Sequence, residues 1–295
     1  MAQDEYLSLN VEDPDETRAR LALVKGRLAS HHVTLPPGRL ARFERLSEAF
    51  AAKTLSLARA ADRPRDLVEL LEGDRDFHEV AAIVEHLLPA APPADPVMFT
   101  KLKHVLGGAA LPSEDANPLA RSMQFELYVA ALCARGGLPV RFQEPDFVVT
   151  AAGVRLGIAA KRAGGPQVQR LFVQATSQLR KAQLHGVVAL SFDRLFRPND
   201  ERLFSPSAEA LKPEAPRLLD ETLRPYLRAF DRAAAGSRAI ALFAFLVVPV
   251  AVPKENQVGR VSASLLHELR PMSKAQRAAL TELHERTALR DSDPV

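Results

Sequence analysis

The chain has 295 residues with a formal net charge of +3, and its 47% hydrophobic and 25% charged content is that of a globular protein, which excludes a disordered chain. Its length suits one large or two modest domains with a sizeable core. The single cysteine, Cys133, excludes an internal disulfide framework and fits a reducing cytosol, so a cytoplasmic location is expected.

The opening stretch MAQDEYLSLNVEDPDETRAR is acidic and has no apolar run, unlike a signal peptide. Residues 13–88 then carry helical periodicity in DETRARLALVKGRLASHH, GRLARFERLSEAFAAKTLSLARAA and RDFHEVAAIVEHLL. Leu21, Leu23, Val24 and Leu28 are read as one helical face, as are Phe43, Leu46, Phe50 and Leu55. LPAAPPADP, residues 88–96, has four prolines in nine residues and reads as a linker. A short helix, VMFTKLKHVL, ends at Gly107–Gly108. These features define a helical N-terminal region, 1–112.

The texture changes over 113–295, which reads as an α/β domain. NPLARSMQFELYVAALCARGG is a helix with an Asn117 cap, Pro118 in its first turn and a Gly136–Gly137 stop. PVRF, DFVVT and GVRLGIAAK are strand-like, QVQRLFVQATSQLRKAQLH returns to helix, and GVVALSFD is a further strand. This α-β-β-β-α-β order combines a meander with a crossover and predicts a mixed sheet flanked by helices. After a Pro-rich loop come a helix around PRLLDETLRPYLRAFDRAA, the apolar run AIALFAFLVVPVAV and an amphipathic helix, SKAQRAALTELHERTAL. The apolar run is too short to span a bilayer and contains Pro249, so it reads as a buried strand, and no membrane partner is expected.

Chemistry concentrates in EPDFVVTAAGVRLGIAAKR, Glu144 to Arg162. If its two strands pair across the turn at 151–153, Asp146 and Lys161 fall at the same end of the hairpin. A carboxylate and an ammonium at the open edge of a sheet suit phosphodiester hydrolysis: the carboxylate holds a hard divalent cation and the lysine stabilises charge or orients water. No acidic residue lies between Asp146 and Asp193, whereas Arg155, Lys161, Arg162, Arg170, Arg180 and Lys181 do. A locally basic surface attracts phosphates whatever the net charge of the molecule. The competing explanation is an ordinary solvated face.

Over roughly Asn117 to Asp193 the sequence resembles the PD-(D/E)xK, or restriction-endonuclease-like, nuclease superfamily, with Pro145–Asp146 matching the PD and Lys161 the lysine. The resemblance implies that Glu126, on the preceding helix, helps Asp146 bind Mg²⁺ or Mn²⁺. It also implies that Gln178, or Gln174 one turn earlier, is the positioning glutamine of the following helix. It further implies a restriction-endonuclease-like core that cleaves DNA, and the basic stretch offers Arg155, Arg162, Arg170, Arg180 and Lys181 as the nucleic-acid contacts. Ala159 departs from the pattern, because an acid is expected two residues before the lysine. Either Glu126 or Glu144 completes a one-metal site, or the position was altered to give an inactive protein, or catalysis is lost and a nucleic-acid-binding or protein-assembly module remains. A third class of function makes the helical half an interaction scaffold.

With no Trp and three Tyr, platforms for stacking single-stranded bases are scarce, which favours duplex DNA contacted through its backbone; a homodimer is left open. His78 and His86, eight apart, lack the spacing of a helical zinc motif and are assigned structural or surface roles. Cys133, mid-helix, is expected to be a small core residue.

Overall fold

A computed structural model describes residues 5–11, 13–57, 64–115, 119–164, 167–195, 205, 207, 210 and 214–288. Strand β1 (Glu5–Val11) is followed by helices α1 (Pro14–Ser30), α2 (Arg39–Ala51), α3 (Pro64–Leu87), α4 (Pro96–Val105) and α5 (Leu119–Arg135). Then come β2 (Val140–Arg141), β3 (Phe147–Ala151), β4 (Val154–Arg162), α6 (Val168–Lys181) and β5 (Gly186–Ser191). The chain closes with α7 (Glu214–Leu223), α8 (Leu227–Ala234), β6 (Ala239–Val252), β7 (Gln257–Glu268) and α9 (Lys274–Thr287). The expected Asn117 cap, Pro118 and most of the Pro-rich loop after Asp193 lie outside the described residues.

The seven strands form one mixed sheet in the order β1-β7-β6-β5-β4-β3-β2. β4, β5 and β6 are parallel, and the pairs on either side of them are antiparallel. The α/β class and the flanking helices are therefore those expected. Period-two alternation divides each central strand between two apolar layers. Ile158 and Ala160 of β4, with Val187 and Ala189 of β5, face the cluster built with the N-terminal helices, α5 and α9. Ala159, Val188 and Leu190 face the cluster built with α6, α7 and α8, where the Phe172 and Phe230 rings stack with centroids 4.3 Å apart.

The helical region of 1–112 and the α/β region of 113–295 thus share a core. One apolar cluster runs from Leu21 of α1 through Phe77 of α3 to Leu280 of α9. The Pro-rich stretch 88–96 connects α3 to α4, and β1 joins the sheet edge through β7. α3 is longer than the periodic stretch beginning at Arg75 suggests, because it starts at Pro64. It lies buried even at Glu72, Asp74, Arg75, Asp76 and Glu79. Gly73 lets α2 approach closely: a Cβ there would sit 2.8 Å from Cβ of Phe43. At Gly136, just past α5, a Cβ would collide with the backbone of Arg286 on α9.

Charges buried on α3 are held by an ionic network. Asp76 Oδ2 accepts from Arg39 Nη1 at 2.8 Å and from Arg121 Nη2 at 2.8 Å, while its Oδ1 accepts from Gln124 Nε2 at 3.2 Å. Burial would raise the Asp76 pKa, but Arg121, Arg39 and Arg75 outweigh it and hold the carboxyl well below the usual range. Glu79 accepts from Gln124 Nε2 at 2.6 Å and from Arg162 Nη2, and Glu72 accepts from Arg75 Nη2.

Candidate active site

Asp146 precedes β3, and the register there pairs Phe147 with Ile158, so Asp146 lies across from Ala159 at the next step of the hairpin. Lys161 is two residues beyond Ala159 and shares its face of β4. The two charged groups meet: Lys161 Nζ donates to Asp146 Oδ2 at 2.9 Å and to the Ala160 carbonyl at 3.0 Å. Asp146 Oδ2 also accepts from the Ala160 backbone N–H at 2.8 Å, which ties the carboxylate to the neighbouring strand. From α6, Gln178 Nε2 reaches Asp146 Oδ1 at 3.2 Å and the Pro145 carbonyl at 3.3 Å. Residues from the entry to β3, from β4 and from α6, up to 33 residues apart in sequence, therefore converge on one largely buried carboxylate.

Glu126 of α5 joins this group indirectly. Its carboxylate accepts from Lys101 of α4, a residue that sequence reasoning missed. Burial lowers the Lys101 pKa, Asp146 opposes that shift, Lys161 reinforces it and Glu144 opposes it. Lys101 thus stands in the field of both the Asp146–Lys161 pair and Glu144. The sequence offers little to separate it from Lys103, which is exposed and lies over the Phe99 ring at 4.7 Å. Ala159 is fully buried in the apolar cluster that also contains Phe172, Ala175 and Leu179 of α6. Gln174, the alternative glutamine, is exposed.

The basic residues separate into two kinds. Arg155, Arg170, Arg180 and Lys181 are exposed, and the last three line α6. Arg162 departs from the expectation of a nucleic-acid contact: its side chain is 1% exposed and is bound to Glu79, with Asp193 3.5 Å away. The alternation that puts Lys161 on the α6 face of β4 turns its neighbour Arg162 to the other face, under α3 and against the Phe125 ring at 5.4 Å.

Cys133 is buried, which pushes its thiol up to about 12 and leaves it a core residue. His78 is held neutral by burial and by Arg260, Arg20 and Arg135, consistent with a structural role. Among the described residues there is no cluster of three or more His, Cys, Asp or Glu side chains arranged to hold a metal ion, and no helix is long and apolar enough to cross a membrane. Comparison of the chain with protein-family models, with curated proteins and with solved structures finds no match.

Proposed function

We propose that the chain is a divalent-metal-dependent nuclease with a restriction-endonuclease-like core that hydrolyses DNA phosphodiester bonds in restriction, defence or repair. The observation that carries this is the convergence of Asp146, Lys161 and Gln178 at one sheet edge, in the pattern that the PD and lysine motifs imply. The donor set is small but suits Mg²⁺ or Mn²⁺, which bind through one or two carboxylates and keep several waters. Asp146 and Glu126 would hold the cation, and the Ala160 carbonyl lies beside Asp146 as a further oxygen. A metal there supplies Lewis acidity and lowers the pKa of an attacking water.

Lys161 places its amine beside Asp146, where it can stabilise the negative charge that builds up on a phosphoryl group in the transition state. Gln178 fixes the Asp146 carboxylate by occupying Oδ1. The exposed cations of α6 and Arg155 suit the phosphates of a duplex held against this edge.

One observation favours the second function, a non-cleaving nucleic-acid-binding module. Lys101 neutralises Glu126 as Lys161 neutralises Asp146, so both carboxylates have a counter-charge without a cation. Incubating the chain with supercoiled and linear duplex DNA in Mg²⁺ or Mn²⁺, with a chelator control, separates the two. Chelator-sensitive cutting that disappears in Lys161→Ala is the expected result. DNA binding without cutting in either metal leaves the binding module, and absence of binding at low salt rejects both.

Binding itself is expected to weaken with salt. Four phosphate contacts from Arg155, Arg170, Arg180 and Lys181 correspond to a slope of log K against log salt of about −3.6, and the Arg180→Ala/Lys181→Ala double variant should reduce its magnitude by about 2. A fluorescence-anisotropy titration across salt concentrations measures both, and an unchanged slope in the double variant would remove α6 from the interface.

A further inference from the structure

The interior beneath α3 holds several guanidinium N–H groups that meet no acceptor. Arg162 ends β4, Arg194 directly follows β5, and Arg75 comes from α3, which covers that side of the sheet. Arg162 uses Nη2 on Glu79, but its Nε and Nη1 are buried without an acceptor. Arg75 uses Nη2 on Glu72, and its Nε is likewise unmet. Arg194 has no ion-pair partner among the described residues, and both its Nε and Nη2 are buried and unmet.

The nearby carboxylates hold other donors, and none of them accepts from these unmet N–H groups. Asp193 Oδ1 takes the Val247 N–H at 2.8 Å and its Oδ2 takes the Ser191 hydroxyl at 2.6 Å. Both oxygens of Asp76 are engaged by Arg39, Arg121 and Gln124, and Glu79 is shared by Gln124 and Arg162. The unmet groups also lie together: Arg162 is in register with Ser191 and 3.5 Å from Asp193, the residue before Arg194, and its partner Glu79 is one turn along α3 from Arg75. Burial and the like charges of Arg162, Arg121 and Arg75 accordingly push Arg194 down to about 10.

A guanidinium N–H left buried without an acceptor is costly, whereas paired guanidinium forks match the oxygens of a phosphate. The position is also one where ligands gather, outside the carboxyl ends of neighbouring parallel strands. Arg194 is partly exposed while Arg75 and Arg162 are buried, so it forms the entrance. Gly164 lies beside it, where a Cβ would sit 3.8 Å from Arg194 Cδ. We infer that Arg75, Arg162 and Arg194 form a recessed phosphate-binding site at the carboxyl ends of β4 and β5. Because Arg75 and Arg162 are buried, such a site would take a free phosphate or the terminal phosphate of a strand rather than the internal phosphates of a duplex. The inference stands apart from the cleavage chemistry at Asp146.

The test uses the full chain at constant ionic strength. Orthophosphate should raise the thermal unfolding midpoint where chloride does not, and calorimetry should give a saturable site. Arg194→Gln removes a partly exposed cation whose Nε and Nη2 are unmet, so it should be at least as stable as the wild type in phosphate-free buffer and bind orthophosphate at least tenfold more weakly. Arg224→Gln, which removes an exposed partner of Asp220, is the control and should bind as the wild type does. Two oligonucleotides differing only in a 5′-phosphate or 5′-hydroxyl distinguish the source. A preference for the 5′-phosphate that is lost in Arg194→Gln assigns a strand end, and equal binding alongside an orthophosphate response assigns free phosphate. No response of the wild type to orthophosphate or to the 5′-phosphate, or undiminished binding by Arg194→Gln, would overturn the site.

Discussion

Asp76→Asn is expected to lower the unfolding free energy by about 3–5 kcal/mol, measured by urea denaturation at neutral pH. The substitution keeps the shape of the side chain and removes only its charge. That charge is fully buried and sits between Arg39 on α2 and Arg121 on α5, so its loss leaves two guanidinium groups uncompensated where water cannot reach them. The effect should also depend on pH in a defined direction. The folded-state pKa of Asp76 is depressed, so the unfolded chain binds the proton more readily. The contribution of the carboxylate is therefore fully present above an unfolded pKa of about 4 and is lost as the pH falls from there toward the depressed folded value. Wild type and Asp76→Asn should accordingly converge in stability below about pH 4. A difference under about 1 kcal/mol at pH 7 would show that the network is solvated or readily rearranged.

The same network marks the limit of what periodicity discloses. β6 and α9 are legible because their signals are local. Ala239–Val252 is a continuous apolar run, and Ser273 with Gln276 forms a capping box at the start of α9. The first half of α3 is opaque for the opposite reason: Glu72, Asp74, Arg75 and Asp76 look like a solvated surface, and only partners from α2, α5, β4 and β7 make them buried. β7 escapes notice although Val261, Ala263 and Leu265 alternate with Arg260, Ser262 and Ser264, because its entry turn at Asn256, with φ of 48°, carries no Gly to mark a hairpin. β1 lies in a stretch weighed only as a possible signal peptide, although Leu7, Leu9 and Val11 alternate with polar residues there.

At the site, Asp146 and Lys161 could be paired from the hairpin alone, since β3 and β4 are joined by a tight turn and the register follows. Gln178 required a helix of known length returning over β4, and the amphipathic pattern of α6 supplied it. Lys101 could not be placed, because its meeting with Glu126 depends on how α4 packs against α5, which no local pattern specifies. Arg162 was misplaced by treating adjacent positive charges as one patch, although a strand sends neighbours to opposite faces.

Ala159→Glu is expected to raise the affinity for Mg²⁺ at least tenfold, read as a larger metal-induced rise in the thermal midpoint than the wild type shows. The new carboxylate would start from the position across the hairpin from Asp146, on the face of β4 that carries Lys161. Two carboxylates bind a hard cation far better than one, and the nearby lysine offsets part of their repulsion. The change has a cost, because Ala159 is fully buried in the layer that includes Phe172, Ala175 and Leu179. In chelator the variant should therefore be less stable than the wild type by about 1–3 kcal/mol. Adding Asp146→Asn should cancel the metal response in both backgrounds, and a double-mutant cycle would then give a coupling between the two positions that distant sites do not show. If cleavage by the wild type is already supported by Asp146 and Glu126, the added glutamate should change metal affinity more than rate. If the wild type only binds DNA, cutting should first appear in Ala159→Glu. An unchanged metal response in Ala159→Glu would mean that no cation binds at this edge, and Asp146 and Lys161 would then be an ion pair that closes a hairpin.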